Sequence, residues 1–138
     1  MLTDTEIADL FGTPRTIALI GASANPARPS HGVGTFLAAR GHRVIGVNPG
    51  LAGQTLFGET VAARIADVPA EVEIVDIFRQ SDAVPGIVAE ALARWPRLDV
   101  VWMQLGVESD EGAALARAQG VRVVENRCPK IEYVRLGL

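Results

Sequence analysis

Five short apolar segments alternate along the chain with segments whose apolar residues recur at helical spacing. The apolar segments show no polar alternation, which is typical of strands buried on both faces of a sheet. They cover residues 16–20, 44–47, 72–78, 98–103 and 121–124. Because strands and helices alternate, the pattern predicts βαβ units with right-handed crossovers. We therefore expect an α/β fold: a Rossmann-like, doubly wound, five-stranded parallel sheet in the order 3-2-1-4-5, with a switch point beside the first strand.

The segments around the predicted strands carry the signals of helix ends. Thr3 and Glu6 form a capping box, which predicts a short amphipathic helix before the first strand. Further helices are expected over residues 32–40, 61–65, 83–95 and 110–119. Two serines stand at N-cap positions of these helices and two glycines at C′ positions: Ser81, Ser109, Gly41 and Gly120.

Length and composition favour a single domain over residues 1–138. Hydrophobic residues make up 49% of the chain, yet no apolar stretch approaches the ~20 residues that cross a bilayer. Thirteen basic and sixteen acidic residues, without a Lys or Arg run, argue against nucleic acid as a partner. The start of the chain lacks signal-peptide features, and one cysteine, Cys128, excludes an internal disulfide, so we expect a cytoplasmic protein. With two histidines, His31 and His42, no metal site is expected.

Ligands of doubly wound sheets bind at the carboxyl ends of the strands, so the residues after each predicted strand are the candidate site. Gly21, Ala22 and Ser23 follow the first strand, where the glycine permits a sharp turn and the serine lies before a helix start. This position suits a phosphate, which Arg28 could also reach. The alternative is a plain tight turn between strand and helix.

The same segments differ from the usual dinucleotide fingerprint. Ser23 and Pro26 follow Gly21 where further glycines are expected. The second strand ends in Asn48-Pro49, whereas NAD binding expects Asp or Glu there. The sequence therefore favours a different adenine nucleotide over NAD.

Two other motifs are given structural interpretations. Gly32-x-Gly34 follows a loop rather than a strand, so we interpret it as close packing of a helix on the sheet. Residues 21–25 resemble a hydrolase nucleophile elbow but lack its last glycine, and the histidines stand in the wrong order for a hydrolase. His42 is expected to be a solvated turn residue at the opposite end of the sheet, and His31 to begin a helix near the ligand loop.

Three side chains near the later strand ends each allow two interpretations. Arg79 either contacts a phosphate or forms a salt bridge with Asp76 or Asp82. Gln104 can hydrogen-bond a neutral polar group, which suits recognition more than proton transfer. Cys128 is either a buried small apolar residue, which we favour, or a reactive thiol. No acid and base stand paired, so a binding role is favoured over an enzyme.

In order along the chain, the strand-end motifs form a specific combination: Asn48-Pro49, Phe78-Arg79, Trp102-x-Gln104-x-Gly106 and Arg127-Cys128. Together with their neighbours, these motifs resemble the small bacterial and archaeal CoA-binding proteins. That family is related to the nucleotide-binding domain of the succinyl-CoA synthetase α subunit. The matching segments extend over residues 20–23, 28–30, 41–44, 47–49, 53–58, 75–79, 101–106 and 126–128.

The resemblance implies that the chain binds coenzyme A with its adenosine diphosphate over the strand ends. Gly21, Ala22 and Ser23 would hold the diphosphate, and Arg28 would pair with a phosphate. Asn48-Pro49 would border the adenosine. Phe78, Arg79 and Gln104 would line the rest of the groove. The implied binding residues are Gly21, Ala22, Ser23, Arg28, Ser30, Asn48, Pro49, Phe78, Arg79 and Gln104. This chain departs from the family pattern at Gly50, where family members often carry a basic residue. Because that residue is missing, selectivity for the 3′-phosphate depends on another cation.

Larger synthetases carry a phosphorylated histidine on a further domain, which a chain ending at Leu138 is expected to lack. The leading hypothesis is a stand-alone binding, carrier or regulatory module for CoA or an acyl-CoA. The alternatives are a small NAD(P)- or other nucleotide-dependent enzyme, and an accessory subunit of an acyl-CoA ligase. A homodimer or an acyl-CoA enzyme is a possible protein partner, whereas nucleic acid and membrane are not expected.

Overall fold

Five parallel strands form the central sheet of the computed structural model, which describes residues 1–138. The strands are β1 (Thr16–Ile20), β2 (Arg43–Val47), β5 (Ile74–Ile77), β6 (Val100–Met103) and β7 (Arg122–Val124). Two further strands, β3 (Thr55–Leu56) and β4 (Glu59–Thr60), form a separate antiparallel hairpin. The predicted α/β class with a five-stranded parallel sheet is confirmed.

The strand order is β2-β1-β5-β6-β7, so the predicted order 3-2-1-4-5 is wrong. The third strand of this sheet along the chain, β5, pairs with β1 and not with β2. The outer edge of β2 is instead covered by the segment that contains Ala62. Asn48 N donates to Ala62 O at 2.9 Å, and Ala62 N donates to Gly46 O at 3.0 Å. This extended segment continues from β4, so the helix predicted over residues 61–65 is also wrong. The switch point still lies beside β1, between β1 and β5.

Five helices cover the sheet: α1 (Asp4–Phe11), α2 (Pro29–Ala39), α3 (Val84–Arg94), α4 (Asp110–Ala118) and α5 (Pro129–Leu136). The capping box at α1 is confirmed, with both of its hydrogen bonds at 3.2 Å. Ser109 caps α4 as predicted, but Ser81 is not an N-cap. Its hydroxyl instead accepts from the backbone N–H of Glu108 at 3.0 Å. No helix of this chain has the length and apolar character needed to cross a bilayer.

The two faces of the sheet bury separate hydrophobic clusters. One cluster packs under α3 and α4 and includes Val88, Trp95 and Ala116. The other packs under α1, α2 and α5 and includes Leu37 and Trp102. Because helices cover both faces, both faces of the central strands are mostly apolar, as the predominantly hydrophobic segments indicated.

The glycine pair in α2 packs differently from the prediction. A Cβ on Gly34 would lie 2.4 Å from the ring of Phe57, which stands in the turn between β3 and β4. Gly32 has no such neighbour within 4 Å. The close contact is therefore between α2 and the hairpin, not between α2 and the sheet.

His42 lies at the amino end of β2, away from the carboxyl ends, but it is 5% exposed and not solvated as predicted. Its Nδ1 accepts from Arg15 N at 2.9 Å, and its Nε2 faces the Tyr133 hydroxyl. Since Nδ1 is an acceptor, the proton of the neutral ring is on Nε2, which donates to the Tyr133 oxygen. Burial is the main cause that lowers the pKa of His42, and the charge of Arg15 adds to it.

We expect the fold to lose stability as His42 becomes protonated. The folded pKa is depressed, so this contribution is complete above about pH 6.5 and is lost as pH falls toward the folded value. His42→Asn keeps an acceptor for the Arg15 N–H but does not titrate. Urea unfolding between about pH 7 and pH 5 should give a shallower fall of the unfolding free energy in this variant than in wild type. Equal slopes would contradict the assignment, and His31→Gln is the matched control.

Candidate functional site

The chain leaves β1 through Gly21, which has a φ of +88°. A Cβ at this position would lie 2.5 Å from the carbonyl oxygen of Phe78, just after β5. Gly21 N donates to Val47 O at the end of β2, at 3.0 Å. Only glycine combines this backbone conformation with so close an approach. The switch point is therefore shaped by the meeting of three strand ends at Gly21.

Two side-chain turns carry the chain from Ser23 to α2. The Ser23 hydroxyl accepts from Asn25 N at 3.1 Å, and Asn25 Oδ1 accepts from Ala27 N at 3.0 Å. Arg28 is the N-cap residue of α2, and Pro29 is its first residue. The loop thus places Ser23 beside the amino end of an 11-residue helix, whose dipole favours an anion. Pro29 has no N–H and His31 N donates to Arg28 O, so Ser30 N is the donor that this first turn leaves for an anion.

Asn48 holds this loop against the end of β2. Its Nδ2 donates to Ala22 O at 2.8 Å, and its Oδ1 accepts from Gly50 N at 2.9 Å. Both ends of the amide are therefore engaged within the protein. These contacts make Asn48 a positioning residue for the β1–α2 loop, while Pro49 is exposed and starts a short 3₁₀ turn.

Two adjoining clefts open at the carboxyl ends of the strands. The smaller, of about 330 Å³, contains most of the predicted phosphate site: Gly21, Ala22, Ser23, Arg28, Ser30, Asn48 and Phe78. The larger, of about 830 Å³, contains Arg28, Phe78, Arg79 and Gln104. Arg28, Pro29 and Phe78 line both clefts. Of the residues predicted for the site, Pro49 alone lines neither.

The clefts carry positive charge that no carboxylate balances. Arg28, Arg79 and Lys130 are among their lining residues, whereas no Asp or Glu is. None of these cations forms a salt bridge, although six other arginines do. The alternative in which Arg79 pairs with Asp76 or Asp82 is therefore wrong. Lys130 was not predicted because it lies on α5, a helix that the sequence pattern did not indicate.

Asp76 lies beneath the site within β5 and takes no part in the clefts. It is 1% exposed, and neither carboxyl oxygen has a hydrogen-bond partner. Burial raises the pKa of Asp76 well above its usual value. Asp76 is thus out of reach of the cations that line the clefts and supplies no counterion to Arg79.

Gln104 follows β6 and lines the larger cleft. The residue is 5% exposed, and its Oε1 is buried without a hydrogen-bond partner in the protein. Its backbone is fixed, since Gln104 N donates to Ile77 O at 3.3 Å and Gln104 O accepts from Val107 N at 2.8 Å. Gln104 thus borders the cleft with its main chain held by the ends of β5 and β6, while its Oε1 lies out of contact with solvent.

The far wall of the larger cleft is apolar and comes from the β6–α4 loop and α5. Leu105 and Ile131 line it and are 54% and 50% exposed, while Val107 is buried. Cys128, the N-cap residue of α5, is 7% exposed and packs in the core cluster while also lining the cleft. The prediction of a buried Cys128 is confirmed.

The segment before Cys128 has mainly structural contacts. Asn126 has a φ of +55°, and its Oδ1 accepts from Gly106 N at 2.8 Å. Trp102 Nε1 donates to Arg127 O at 2.8 Å. These bonds join the loops after β6 and β7, and so hold the wall of the larger cleft.

Known proteins match this chain over nearly its whole length. A Thermus thermophilus structure, cell-free ID.343, is 36% identical with a TM-score of 0.91, covering 98% of this chain and 99% of that one. The Bacillus subtilis (strain 168) protein YneT is 27% identical over 128 residues, 93% of this chain and 92% of YneT.

A dinucleotide-forming acetyl-coenzyme A synthetase from Ca. Korarchaeum cryptofilum, described in complex with phosphate and ADP, shares the fold. It is 22% identical with a TM-score of 0.68, and the match covers 90% of this chain but 28% of the synthetase. The sequence profile of the CoA binding domain matches residues 15–134. The chain therefore belongs to the CoA-binding domain family, as the strand-end motifs indicated.

Proposed function

We propose that this chain binds coenzyme A or an acyl-CoA across the two clefts. The diphosphate lies in the smaller cleft, against the loop after β1 and the start of α2. The pantetheine arm extends into the larger cleft, past Phe78 and Gln104. The observation that carries the proposal is the cationic lining, in which Arg28, Arg79 and Lys130 have no salt-bridge partner and no carboxylate opposes them.

The chemistry of the two clefts matches the two halves of such a ligand. The nucleotide half is strongly anionic, and the smaller cleft offers a helix amino end, the Ser23 hydroxyl and Arg28. The arm is a chain of methylene and amide groups, and the larger cleft combines apolar walls with the uncharged side chains of Gln80 and Gln104. Clefts of several hundred Å³ with few polar groups are typical of small-molecule sites.

Gly50 offers no cation beside Asn48 and Pro49, so the 3′-phosphate needs another partner. Arg28 lines both clefts, and Arg79 lines the larger one. We propose that these two arginines neutralise the 3′-phosphate. A comparison of CoA with dephospho-CoA measures this contribution directly.

We further propose a binding, carrier or regulatory role. The residues that line the clefts include no histidine, aspartate or glutamate. These are the side chains that most often transfer protons in enzymes. The lining therefore favours holding a ligand over converting it.

Thermal unfolding with CoA, acetyl-CoA, dephospho-CoA, ADP and NAD at equal millimolar concentrations tests the proposal. A ligand at ~100 times its Kd adds about 2.7 kcal/mol to stability, which raises the Tm of a domain of this size by several degrees. We expect the largest shifts with CoA or acetyl-CoA and a smaller one with dephospho-CoA. A clear shift with NAD and none with CoA would overturn the proposal.

A further inference from the structure

The larger cleft has an apolar wall that the rest of the protein leaves uncovered. Leu105 and Ile131 are 54% and 50% exposed, and both line this cleft. They come from different elements, the β6–α4 loop and α5, so their exposure is not that of neighbours on one surface helix. Val107 and Cys128 line the same cleft and are each 7% exposed. Side chains from two elements therefore combine into one apolar surface.

A closed turn holds Leu105 at the cleft surface. Val107 N donates to Gln104 O at 2.8 Å, and Gly106 has a φ of +81°, so Leu105 stands at the corner of a four-residue turn. Asn126 Oδ1 accepts from Gly106 N at 2.8 Å and ties the turn to the loop after β7. The main chain thus keeps Leu105 exposed.

The first turn of α5 presents Ile131 in a similar way. The next two residues, Glu132 and Tyr133, are buried, which leaves Ile131 on the outer side of the helix. Salt bridges hold Glu132 inward, so α5 cannot rotate freely. Val134 is 72% exposed on the same helix but lines neither cleft. Single exposed apolar residues such as Val134 are ordinary, whereas an apolar wall inside a concave site points to a ligand.

The charge of the larger cleft narrows the class of ligand. Arg28, Arg79 and Lys130 line it together with the apolar wall, and no carboxylate does. A ligand that matches both parts of this lining has an anionic portion and a hydrocarbon portion. Free CoA ends in a small thiol, whereas an acyl group on that thiol adds the hydrocarbon. The cleft, at about 830 Å³, is more than twice as large as the smaller cleft of about 330 Å³.

We propose that Leu105 and Ile131 receive the hydrocarbon chain of an acyl group, so that the protein prefers acyl-CoA thioesters with several methylene groups. This inference rests on the proposed function and deepens it by naming the class of ligand. The acyl chain covers side chains that water otherwise contacts, and the affinity gained grows with the apolar area removed from water.

Calorimetric titration of acetyl-CoA, butyryl-CoA and hexanoyl-CoA measures this preference, because the ligands differ only in the number of methylene groups. Full burial of one methylene group raises affinity about fourfold. Since the wall covers the chain from one side, we expect about twofold per methylene group, and about tenfold between acetyl-CoA and hexanoyl-CoA.

Leu105→Gln and Ile131→Gln each replace an apolar side chain of the wall by a polar one. In each variant the ratio of hexanoyl-CoA to acetyl-CoA affinity should fall by about threefold. An effect on the shared nucleotide or arm cancels in this ratio. Both residues are exposed, so the Tm without ligand should stay close to that of wild type. Leu115→Gln is the matched control and should keep the wild-type ratio, because Leu115 is exposed on α4 and lines neither cleft.

Two results would overturn the inference while CoA binding stands. One is equal affinity for the three thioesters in wild type, or a wild-type ratio in both wall variants, since the arm itself would then cover the wall. The other is a wild-type dimer that Ile131→Gln dissociates in sedimentation velocity without ligand, because a second copy would then cover it. If wild type binds neither CoA nor any of the thioesters, the proposed function itself fails, and the inference with it.

Discussion

Ser23→Asp is expected to abolish the stabilisation of the protein by CoA. The substitution places a carboxylate in the smaller cleft, beside the start of α2, where the diphosphate is proposed to lie. Like charges brought together in an interface cost several kcal/mol, and each 1.4 kcal/mol is a tenfold change. The affinity for CoA should therefore fall by about a hundredfold or more, measured by titration calorimetry or by the CoA-induced shift in Tm.

The fold should tolerate this change. The Ser23 hydroxyl accepts from Asn25 N at 3.1 Å, and an aspartate side chain forms the same kind of turn. Ser23→Asn keeps the turn without the charge and should retain most of the CoA affinity. Ser109→Asp is a matched control, because Ser109 caps α4 outside the site and aspartate is also a good N-cap. Full CoA affinity in Ser23→Asp would argue strongly against the assigned phosphate site.

The sheet could be predicted from the sequence because its strands are buried on both faces and form predominantly apolar segments without regular polar alternation. The strand order could not, because it depends on which segment covers the outer edge of β2. That segment follows a hairpin of two-residue strands, too short to show an alternating pattern. The connection was therefore interpreted as a helix, and the third strand was placed on the wrong side of β1.

The strand-end residues of the site could likewise be predicted, because topology alone brings them to one edge of the sheet. Lys130 could not, since α5 contradicts the usual helical pattern. Val134 is 72% exposed, while Glu132 is buried. Arg135 lies 2.6 Å from Glu132, and Arg127 lies 3.6 Å from it. Tyr133 and Leu136 pack inward beside Glu132, whereas Ile131 and Val134 are exposed. Apolar residues thus lie on both faces of this helix, so hydrophobic periodicity does not reveal it.

The burial of His42 was missed for a related reason. Its position before β2 indicated a solvated turn, but Tyr133 on α5 covers the ring. Without α5, nothing in the local sequence distinguishes a buried histidine from an exposed one. The strand order, Lys130 and the burial of His42 all depend on contacts between segments that are distant in the sequence, so the local sequence pattern did not predict them.

Gly21→Ala is expected to destabilise the protein and to weaken CoA binding together. A left-handed backbone costs a non-glycine residue roughly 1–2 kcal/mol, and overpacking typically adds about 1–3 kcal/mol. The second cost applies because the new Cβ would lie 2.5 Å from the Phe78 carbonyl oxygen. The ends of β1 and β5 must then move apart, which displaces the loop that holds Ser23. Urea unfolding and CoA titration measure the two effects.

Gly53→Ala separates the two causes, because Gly53 has a φ of +86° but no atom within 4 Å of a Cβ there. It should therefore show the backbone cost alone and bind CoA as wild type does. The excess destabilisation of Gly21→Ala over Gly53→Ala then reports the close approach of the strand ends. If the two variants lose equal stability, the contact with Phe78 does not constrain the switch point, and the loop geometry must arise from the Asn48 bonds instead.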